Sequence, residues 1–371
     1  MLGWQNFMEY RIYHIALPND DAAAIEKMLS DAGVLVSAHA RRSDLYSMLT
    51  YIEAKHEYQQ QVYMLLDRNL VTRLADLAAS RDISRYSRQD HWRLAAAVLS
   101  FCITSSIAIE PSISMYELAS GCGQHASLDE LYHLRVIDNI DPRVAADVAL
   151  GRCSRIKRKE VGRAAARGNS ADLPDDDFEK DLTDFRILNN CVMKAQTIRS
   201  MQMAPCRKFR AFVEWERDEA LFNSVATMFA MMLFGNRKSI SLIKHQLSAD
   251  IDKVRHGLEN ATWDLVHANF FRKKSVTSPK SEAWLFASQD VQLREIASSW
   301  FVEGGTAAFR GKMKGIVEQY YTKDQTNEVF NVLSAAEASF NLHDRAAHRQ
   351  NYADKIEAIR EKLLEELGIG F

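Results

Sequence analysis

The stretch QVYMLLDRNLVTRLA, residues 61–75, decides the fold. It opens with an apolar run that ends at Asp67, and leucines at helical spacing follow. This pattern predicts a buried strand that delivers one carboxylate to its C-terminal end and then turns into a helix. Open parallel sheets place ligands at that end of their strands, so the stretch predicts an α/β fold and a first candidate site residue.

The composition sets the class of protein. The chain has 371 residues, which is enough for two or three domains or for one domain with a large insertion. Apolar residues make up 47% and charged residues 26%, as in ordinary soluble globular proteins. The formal net charge of −2 provides no global field for nucleic acid or membrane, so binding of a polyanion needs a local basic patch.

The cysteines and the apolar segments predict a cytoplasmic protein without a membrane span. The five cysteines form no CxxC pair and match no zinc spacing, which favours reduced thiols. The N-terminus lacks the features of a signal peptide. The most apolar window, residues 222–234, is shorter than the roughly 20 residues that span a bilayer, and it predicts a buried core helix.

Hydrophobic periodicity predicts many helices and few strands. Before residue 61 we expect strands over 9–17 and 34–37 and helices over 21–32 and 43–58, with Gly33 ending the first helix. The expected helices that follow are 69–79, 91–105, 112–120, 128–138 and 142–151, with a short extended piece over 107–110. Residues 152–179 are expected to form an exposed loop.

The second half of the chain is expected to be mainly helical. Residues 178–269 read as nearly continuous helix, with breaks near 203–205 and 235–236. A compact apolar run, residues 284–287, suits a buried strand, and a further strand is possible over 315–320. The remaining expected helices are 291–301, 326–340 and 347–367.

Two stretches share one pattern. Residues 285–290, LFASQD, form an apolar run that ends in an acid and is followed by a helix, as residues 62–67 do. In a parallel sheet, Asp67 and Asp290 would therefore project at the same edge. Glu117 and Asp264 lie between them in the chain. Clustered carboxylates repel one another and need a cation when buried together, and Mg²⁺ prefers oxygen ligands.

The order of these residues resembles the PIN domain family of metal-dependent ribonucleases. That family has an acid at the end of its first strand, usually with Asn or Ser two residues later, which Asp67 and Asn69 match. It also has a Glu on an early helix, which Glu117 matches. Arg68 departs from the family, because a small residue usually stands between the Asp and the Asn.

The last two blocks of the resemblance are the more specific ones. The family has an Asp that opens a late helix, and Asp264 in TWDLVHANFF matches it. A strand ending in Thr/Ser-x-Asp follows, and Ser288 and Asp290 match it. The distance in sequence from Glu117 to Asp264 exceeds that of compact members, so a helical insertion has to be assumed.

The resemblance implies a three-layer core, with a parallel sheet of about five strands and helices on both faces. It implies that Asp67, Glu117, Asp264 and Asp290 hold Mg²⁺ or Mn²⁺, directly or through water, with support from Asn69 and Ser288. The implied activity is endonucleolytic hydrolysis of RNA. Many relatives act as toxins, so a cognate inhibitor protein is an implied partner, and an oligomer is left open.

The resemblance also divides the chain into five segments. Residues 61–151 and 223–321 would form the two parts of the core. Residues 152–222 would be a basic loop and helical insertion. Residues 1–60 would be an N-terminal α/β addition, and residues 322–371 C-terminal helices.

Each candidate acid also has an ordinary structural explanation. Asp67 and Asp290 are typical N-cap residues, Asp264 suits the first turn of a helix, and Glu117 suits a solvated helix face. If these explanations hold, the chain is a catalytically inactive PIN-like protein or a helical scaffold that binds a partner protein. The joint order of the four acids favours the site.

Two basic patches are candidate RNA contacts. The first is at Arg152, Arg155, Lys157 and Arg158, with Lys159 and Arg163 close by in sequence. The second is at Arg272, Lys273 and Lys274, with Lys280, and is expected to sit close to the acids. Arg68 is a third candidate contact. The alternative for each is a solvated surface. The scattered histidines, among them His91 and His267, lack zinc spacing, so no zinc is assigned.

Overall fold

A computed structural model describes residues 15–38, 44–167, 177–238, 240–244, 248, 250–301, 305–339 and 342–369. In this part of the chain, sixteen α-helices surround a small four-stranded sheet, so the fold is a helix-rich α/β fold. The strands are β1 (Leu35–Ser37), β2 (Gln61–Leu66), β3 (Ala108–Glu110) and β4 (Glu282–Ala287).

The sheet is mixed and has the order β1-β4-β2-β3. Strand β2 is parallel to both of its neighbours, β3 and β4, whereas β1 pairs with β4 in the antiparallel sense. Leu66 is opposite Ala287, so β2 and β4 end at the same edge of the sheet. The expectation of about five parallel strands is therefore wrong for the described residues. An antiparallel strand at the edge of a parallel sheet is common in α/β folds.

Helices from the first half of the chain pack on one face of the sheet. Leu285 and Ala287 of β4 point to this face and join its hydrophobic core. The helices are α1 (Asn19–Ala32), α2 (Met48–Glu57), α3 (Arg68–Ala78), α4 (Gln89–Thr104), α5 (Ser112–Cys122), α6 (Gln124–Ile137), α7 (Pro142–Ala149) and α8 (Arg158–Arg167).

Helices from the second half pack on the other face. Trp284 and Phe286, which alternate along β4 with the previous pair, belong to this second core. The helices are α9 (Thr183–Ser200), α10 (Pro205–Asp218), α11 (Ser224–Phe234), α12 (Ile251–Thr277), α13 (Val291–Ser298), α14 (Gly305–Tyr320), α15 (Lys323–Ser339) and α16 (Leu342–Glu366).

The segment expected to be a helical insertion contributes to this second core. Leu188 of α9 and Phe209 and Phe212 of α10 are fully buried in the same cluster as Phe286 of β4. Helix α9 packs along α12. This helix contacts β4 and carries one of the candidate acids, and α10 packs on α9.

Most expected helices are confirmed, but several local predictions are wrong. The nearly continuous helix expected over residues 178–269 is interrupted, and the described residues between Phe234 and Ile251 are not helical. Residues 158–167 of the expected basic loop form α8, because Ala164 is buried against the first core. Residues 315–320, a possible strand, lie within α14, where Met313, Ile316, Val317 and Tyr320 are buried at helical spacing. The helix expected from residue 43 begins at Met48.

The expected first strand falls mostly outside the described residues. Its described part, residues 15–17, is not a strand. The predictions for Gly33 and for the following strand are confirmed. Gly33 ends α1 in the left-handed conformation with φ of 58°, and β1 follows directly.

The apolar window behaves as a core helix. Helix α11 is buried on all sides, as predicted. None of the helices in the described part of the chain combines the length and the apolar character needed to cross a membrane. The five cysteines are free thiols, and Cys102, Cys191 and Cys206 are buried.

Candidate acidic site

Asp67 stands where β2 ends and α3 begins. Its Oδ1 accepts a hydrogen bond from the backbone N–H of Leu70 at 2.8 Å, so the predicted N-cap is present. Its Oδ2 accepts from the Ser288 hydroxyl at 2.5 Å and from the Gln289 backbone N–H at 3.3 Å. The side chain is buried, which raises its pKa, and these hydrogen bonds partly offset that rise.

Ser288 joins Asp67 to Asp290. Its fully buried hydroxyl donates to Asp67 and accepts from the Asp290 backbone N–H at 2.9 Å. Asp290 in turn caps α13, and its Oδ1 accepts from the N–H groups of Gln292 and Leu293. The two strand-end acids therefore lie at one edge of the sheet, and Ser288 forms a hydrogen bond with each of them.

Asp264 lies in the middle of α12 and does not open it. The cap of that helix is Asp250, which accepts from the backbone N–H groups of Asp252 and Lys253. The expected position in a first helical turn is therefore wrong. A side chain in mid-helix needs no capping role, so the first-turn explanation of Asp264 no longer applies.

The four acids form one electrostatic group. Burial raises the pKa of Asp264 well above its usual value, and the charges of Glu117, Asp290 and Asp67, in that order, raise it further. The charge of each of these three carboxylates is therefore felt at Asp264. Positive charge opposes these acids: Lys244 lowers the pKa of Asp264, and Arg294, whose pKa is lowered by burial, interacts with the charges of Asp290 and Asp67.

These donors suit a hard divalent cation. Carboxylate oxygens are the ligands of Mg²⁺ and Mn²⁺, and a cation would relieve the repulsion that raises the pKa of Asp264. In the described part of the chain, no group of three or more His, Cys, Asp or Glu side chains is arranged so that it could hold a metal ion. Mg²⁺ keeps several waters and commonly takes one or two carboxylates, so a site with two direct ligands fits this donor set.

His267 is a site residue that the sequence interpretation missed. It lies one turn after Asp264 on α12, is 1% exposed, and places Nε2 3.1 Å from Oε2 of Glu117. Its charge, when present, lowers the pKa of Asp67. Nδ1 is buried and has no hydrogen-bond partner among the described residues. The sequence could have indicated this residue, because it follows Asp264 by three positions, a spacing that puts both side chains on one face of a helix.

Lys244 provides positive charge from outside the helix. Its charge lowers the pKa of Asp264, against the effect of the acids. The backbone of this residue crosses α12 closely, because a Cβ added at Gly257 would lie 1.9 Å from the Lys244 carbonyl oxygen. Gly257 thus permits the close approach of the segment that carries Lys244.

Asn69 and Arg68 do not occupy the places expected of them. Asn69 is exposed, and its backbone carbonyl accepts a hydrogen bond from Arg73 Nη1 at 2.7 Å. Arg68 forms a two-point ion pair with Glu130 of α6, and its side chain is 19% exposed. A guanidinium held by an internal carboxylate is poorly placed to contact a substrate.

The first basic patch is partly neutralised within the protein. Arg152 is bound by Asp21, through two hydrogen bonds, and by Asp147. Arg155, Lys157 and Arg158 are exposed at the start of α8. These three side chains remain candidates for contact with a polyanion.

The second basic patch lies away from the acids, contrary to expectation. Helix α12 leads into the start of β4, so its last turns lie at the edge opposite the strand ends. Lys273 pairs with Asp184, and Lys274 lies 5.1 Å from the ring centre of Trp284. Asp264 and Lys273 are about 13 Å apart along the helix axis. Arg272 is half-buried.

Comparison with protein-family models, with curated proteins and with solved structures found no match for this chain.

Proposed function

We propose that this chain is a metal-dependent endoribonuclease that hydrolyses RNA at the edge where β2 and β4 end. The observation that carries the proposal is geometric: Asp67 and Asp290 follow neighbouring parallel strands at one edge of the sheet and are joined through the Ser288 hydroxyl. The pKa of Asp264, raised by burial and then by the charges of Glu117, Asp290 and Asp67, agrees with it. Carboxylates that repel one another in a folded protein favour a cation among them. The shared edge of Asp67 and Asp290 and the Ser288 link support a PIN-like arrangement of the core.

The hydrogen bonds distinguish the roles of the acids. Both cap bonds of Asp290 go to Oδ1, so we assign Oδ2 to the cation. Both oxygens of Asp67 accept protein hydrogen bonds, and Oε2 of Glu117 lies against His267. We therefore assign Asp264 and Asp290 as direct ligands of Mg²⁺ or Mn²⁺, and Asp67 and Glu117 as ligands through water.

The chemistry of such a site follows from its charge. A bound divalent cation would supply charge neutralisation for the phosphodiester and activation of water. The protein contributes orientation: Ser288 fixes the Asp67 carboxylate, and His267 fixes that of Glu117. Ligands held by such partners keep their geometry when substrate arrives.

A second candidate is a catalytically inactive PIN-like protein or helical scaffold. Asp67 and Asp290 both serve as N-caps, which accounts for each of them without a metal. The absence of a three-ligand group among the described residues agrees with this candidate. This second candidate does not account for the charges of Glu117, Asp290 and Asp67 that raise the pKa of Asp264.

Cleavage of a labelled single-stranded RNA with Mg²⁺ or Mn²⁺ tests the proposal. We expect activity for the wild type and severe loss for Asp67→Asn and Asp290→Asn. Asp252→Asn is the control, because that side chain is 90% exposed and lies on α12 away from the site. Equal activity in all four proteins, or none in any, would favour the scaffold.

A further inference from the structure

A cluster of cationic and polar side chains adjoins the acids on the α3 and α4 side. Arg73 of α3 places Nη2 3.2 Å from Nδ1 of His91 at the start of α4. Gln289, which lies between Ser288 and Asp290 in sequence, donates from Nε2 to the His91 carbonyl at 2.9 Å. Its backbone N–H donates to Asp67. The cluster is thus connected to the acidic site by hydrogen bonds.

Arg73 is a half-buried cation whose hydrogen bonds in the described part of the chain go to neutral acceptors. These are the Asn69 carbonyl and the His91 ring. Its Nε is buried and has no hydrogen-bond partner among the described residues. A partly desolvated guanidinium without a bound anion is costly, and an incoming anion would offset that cost.

The two acids near Arg73 are engaged elsewhere. Asp67 and Asp76 influence the pKa of Arg73 only through their charge, and burial lowers that pKa. Asp76 is paired with Arg81 at 2.8 Å and accepts from Trp92 Nε1 at 3.2 Å. Neither carboxylate therefore occupies the hydrogen-bonding edge of the Arg73 guanidinium.

Trp92 holds the guanidinium in place. The Arg73 Cζ lies 5.4 Å from the centre of the indole ring, at cation–π distance. The indole itself is fixed, because it stacks on Tyr86 at 4.1 Å with an angle of 6° between the rings. A guanidinium on a fixed ring loses less entropy when it binds a phosphate.

The positive charge here extends beyond one residue. Burial lowers the pKa of His91, and the charges of Arg73 and Arg88 lower it further, against the opposing charge of Asp90. Arg88 is exposed. Positive charge thus stands beside the negative charge of the acids, as a site for a polyanion and its cation requires.

We propose that Arg73, held by His91 and Trp92, binds a phosphate of single-stranded RNA next to the phosphate that is cleaved at the acids. The identity of the ligand as RNA rests on the proposed function. Phosphate binding at Arg73 does not require that cleavage occurs. The competing explanation is that Arg73 only compensates the buried charge of Asp67.

Equilibrium binding of a fluorescein-labelled single-stranded RNA of about twelve nucleotides to the full chain tests the proposal. Anisotropy is measured in EDTA, which prevents metal-dependent cleavage, over a series of salt concentrations. For Arg73→Gln we expect roughly tenfold weaker binding and a salt slope smaller by about 0.7, the value for one phosphate contact on a single strand. Arg217→Gln is the control, because Arg217 is exposed and paired with Asp218.

Arg73→Lys separates charge from geometry. It keeps the charge and loses the planar fork, so we expect severalfold weaker binding with the wild-type salt slope. This variant also decides the question if Arg73→Gln melts at a lower temperature than wild type. Wild-type affinity in folded Arg73→Lys, an unchanged slope in folded Arg73→Gln, or no RNA binding by the wild type would overturn the proposal.

The proposal and the proposed function fail in different ways. If cleavage depends on Asp290 while RNA binding is independent of Arg73, the phosphate site is wrong and the nuclease stands. If binding depends on Arg73 and none of the proteins cleaves RNA, the nuclease is wrong and the phosphate site stands.

Discussion

Ser288 donates a hydrogen bond from Oγ to Oδ2 of Asp67 at 2.5 Å, and so links the ends of the two central parallel strands. The two residues are 221 positions apart in sequence. Both are buried, so the hydroxyl is a major source of compensation for the Asp67 carboxylate. The same hydroxyl accepts the N–H of Asp290 and sets the position of that acid.

Loss of the Ser288 hydroxyl should weaken both stability and the site. In Ser288→Ala, the buried Asp67 carboxylate loses a donor, and we expect the free energy of unfolding to fall by roughly 1–3 kcal/mol. The pKa of Asp67 should rise further, because this bond lowers it. Urea denaturation measures the change in the free energy of unfolding. Ser298→Ala, in which a helical serine loses only a bond to the Glu295 carbonyl, should change stability little, and equal effects of the two would contradict the assignment.

Asp264→Asn should stabilise the protein in EDTA. A carboxyl group whose pKa is raised on folding favours the folded state at low pH, and that contribution is lost as pH rises through the raised pKa. At pH 8 the raised pKa makes this carboxyl group unfavourable to the folded state, a cost that Asn removes, so we expect a gain on the order of 1 kcal/mol. Below the usual pKa of 3.8 the gain should vanish. A less stable variant at pH 8 would instead indicate a favourable pair with Lys244.

His267 should matter through Glu117. Gln can place an Nε2 donor near the position of the ring Nε2, whereas Asn is too short. We expect His267→Asn to reduce RNA cleavage by roughly 10–100-fold, with partial recovery in His267→Gln, as for other partners of metal ligands. Melting temperatures show whether both variants fold. Equal activity of the two folded variants would mean that the contact with Glu117 has no role.

Glu216 should give the protein a pH-dependent stability away from the acidic site. This fully buried residue of α10 is bonded to Thr227 and Asn223, and burial raises its pKa from 4.5 to about 8. The group therefore favours the folded state below pH 4.5, and that contribution declines by about 1.4 kcal/mol per pH unit until pH 8.

Urea denaturation between pH 5 and pH 9 checks this. The difference in unfolding free energy between wild type and Glu216→Gln should change across the window and level off above about pH 8. Glu214→Gln, an exposed position on the same helix, should leave the pH dependence as it is. A constant difference for Glu216→Gln would show that this carboxyl group has its ordinary pKa in the folded protein.

The strand-end acids could be predicted from sequence because the signals are local. An apolar run that ends in Asp before a helix specifies both the strand and the cap, and residues 62–67 and 285–290 each contain that signal. The parallel pairing of the two strands then brings the acids to one edge. The antiparallel β1 could not be foreseen, because its direction depends on how the chain leaves α1 and meets β4.

The rest of the site depends on contacts between distant residues. Arg68 looked free in sequence, but its partner Glu130 is 62 positions away. The resemblance placed Asp264 at the start of its helix, but that helix begins at Ile251 with a cap supplied by Asp250. The role proposed for His267 depends on its contact with Glu117, which is 150 positions away in sequence. The role proposed for Arg73 depends on its contacts with His91 and Trp92. The local periodicity of the sequence cannot predict contacts between residues so far apart in the chain.

Binding of Mn²⁺, followed by electron paramagnetic resonance of the free ion, tests most directly whether the four carboxylates form a cation site. We expect saturable binding by the wild type and a strong loss of affinity in Asp264→Asn and Asp290→Asn. The control Asp252→Asn should bind Mn²⁺ with the wild-type affinity. Absence of binding by the wild type, or equal affinity in all four proteins, would contradict the central claim that Asp264 and Asp290 hold a catalytic divalent ion.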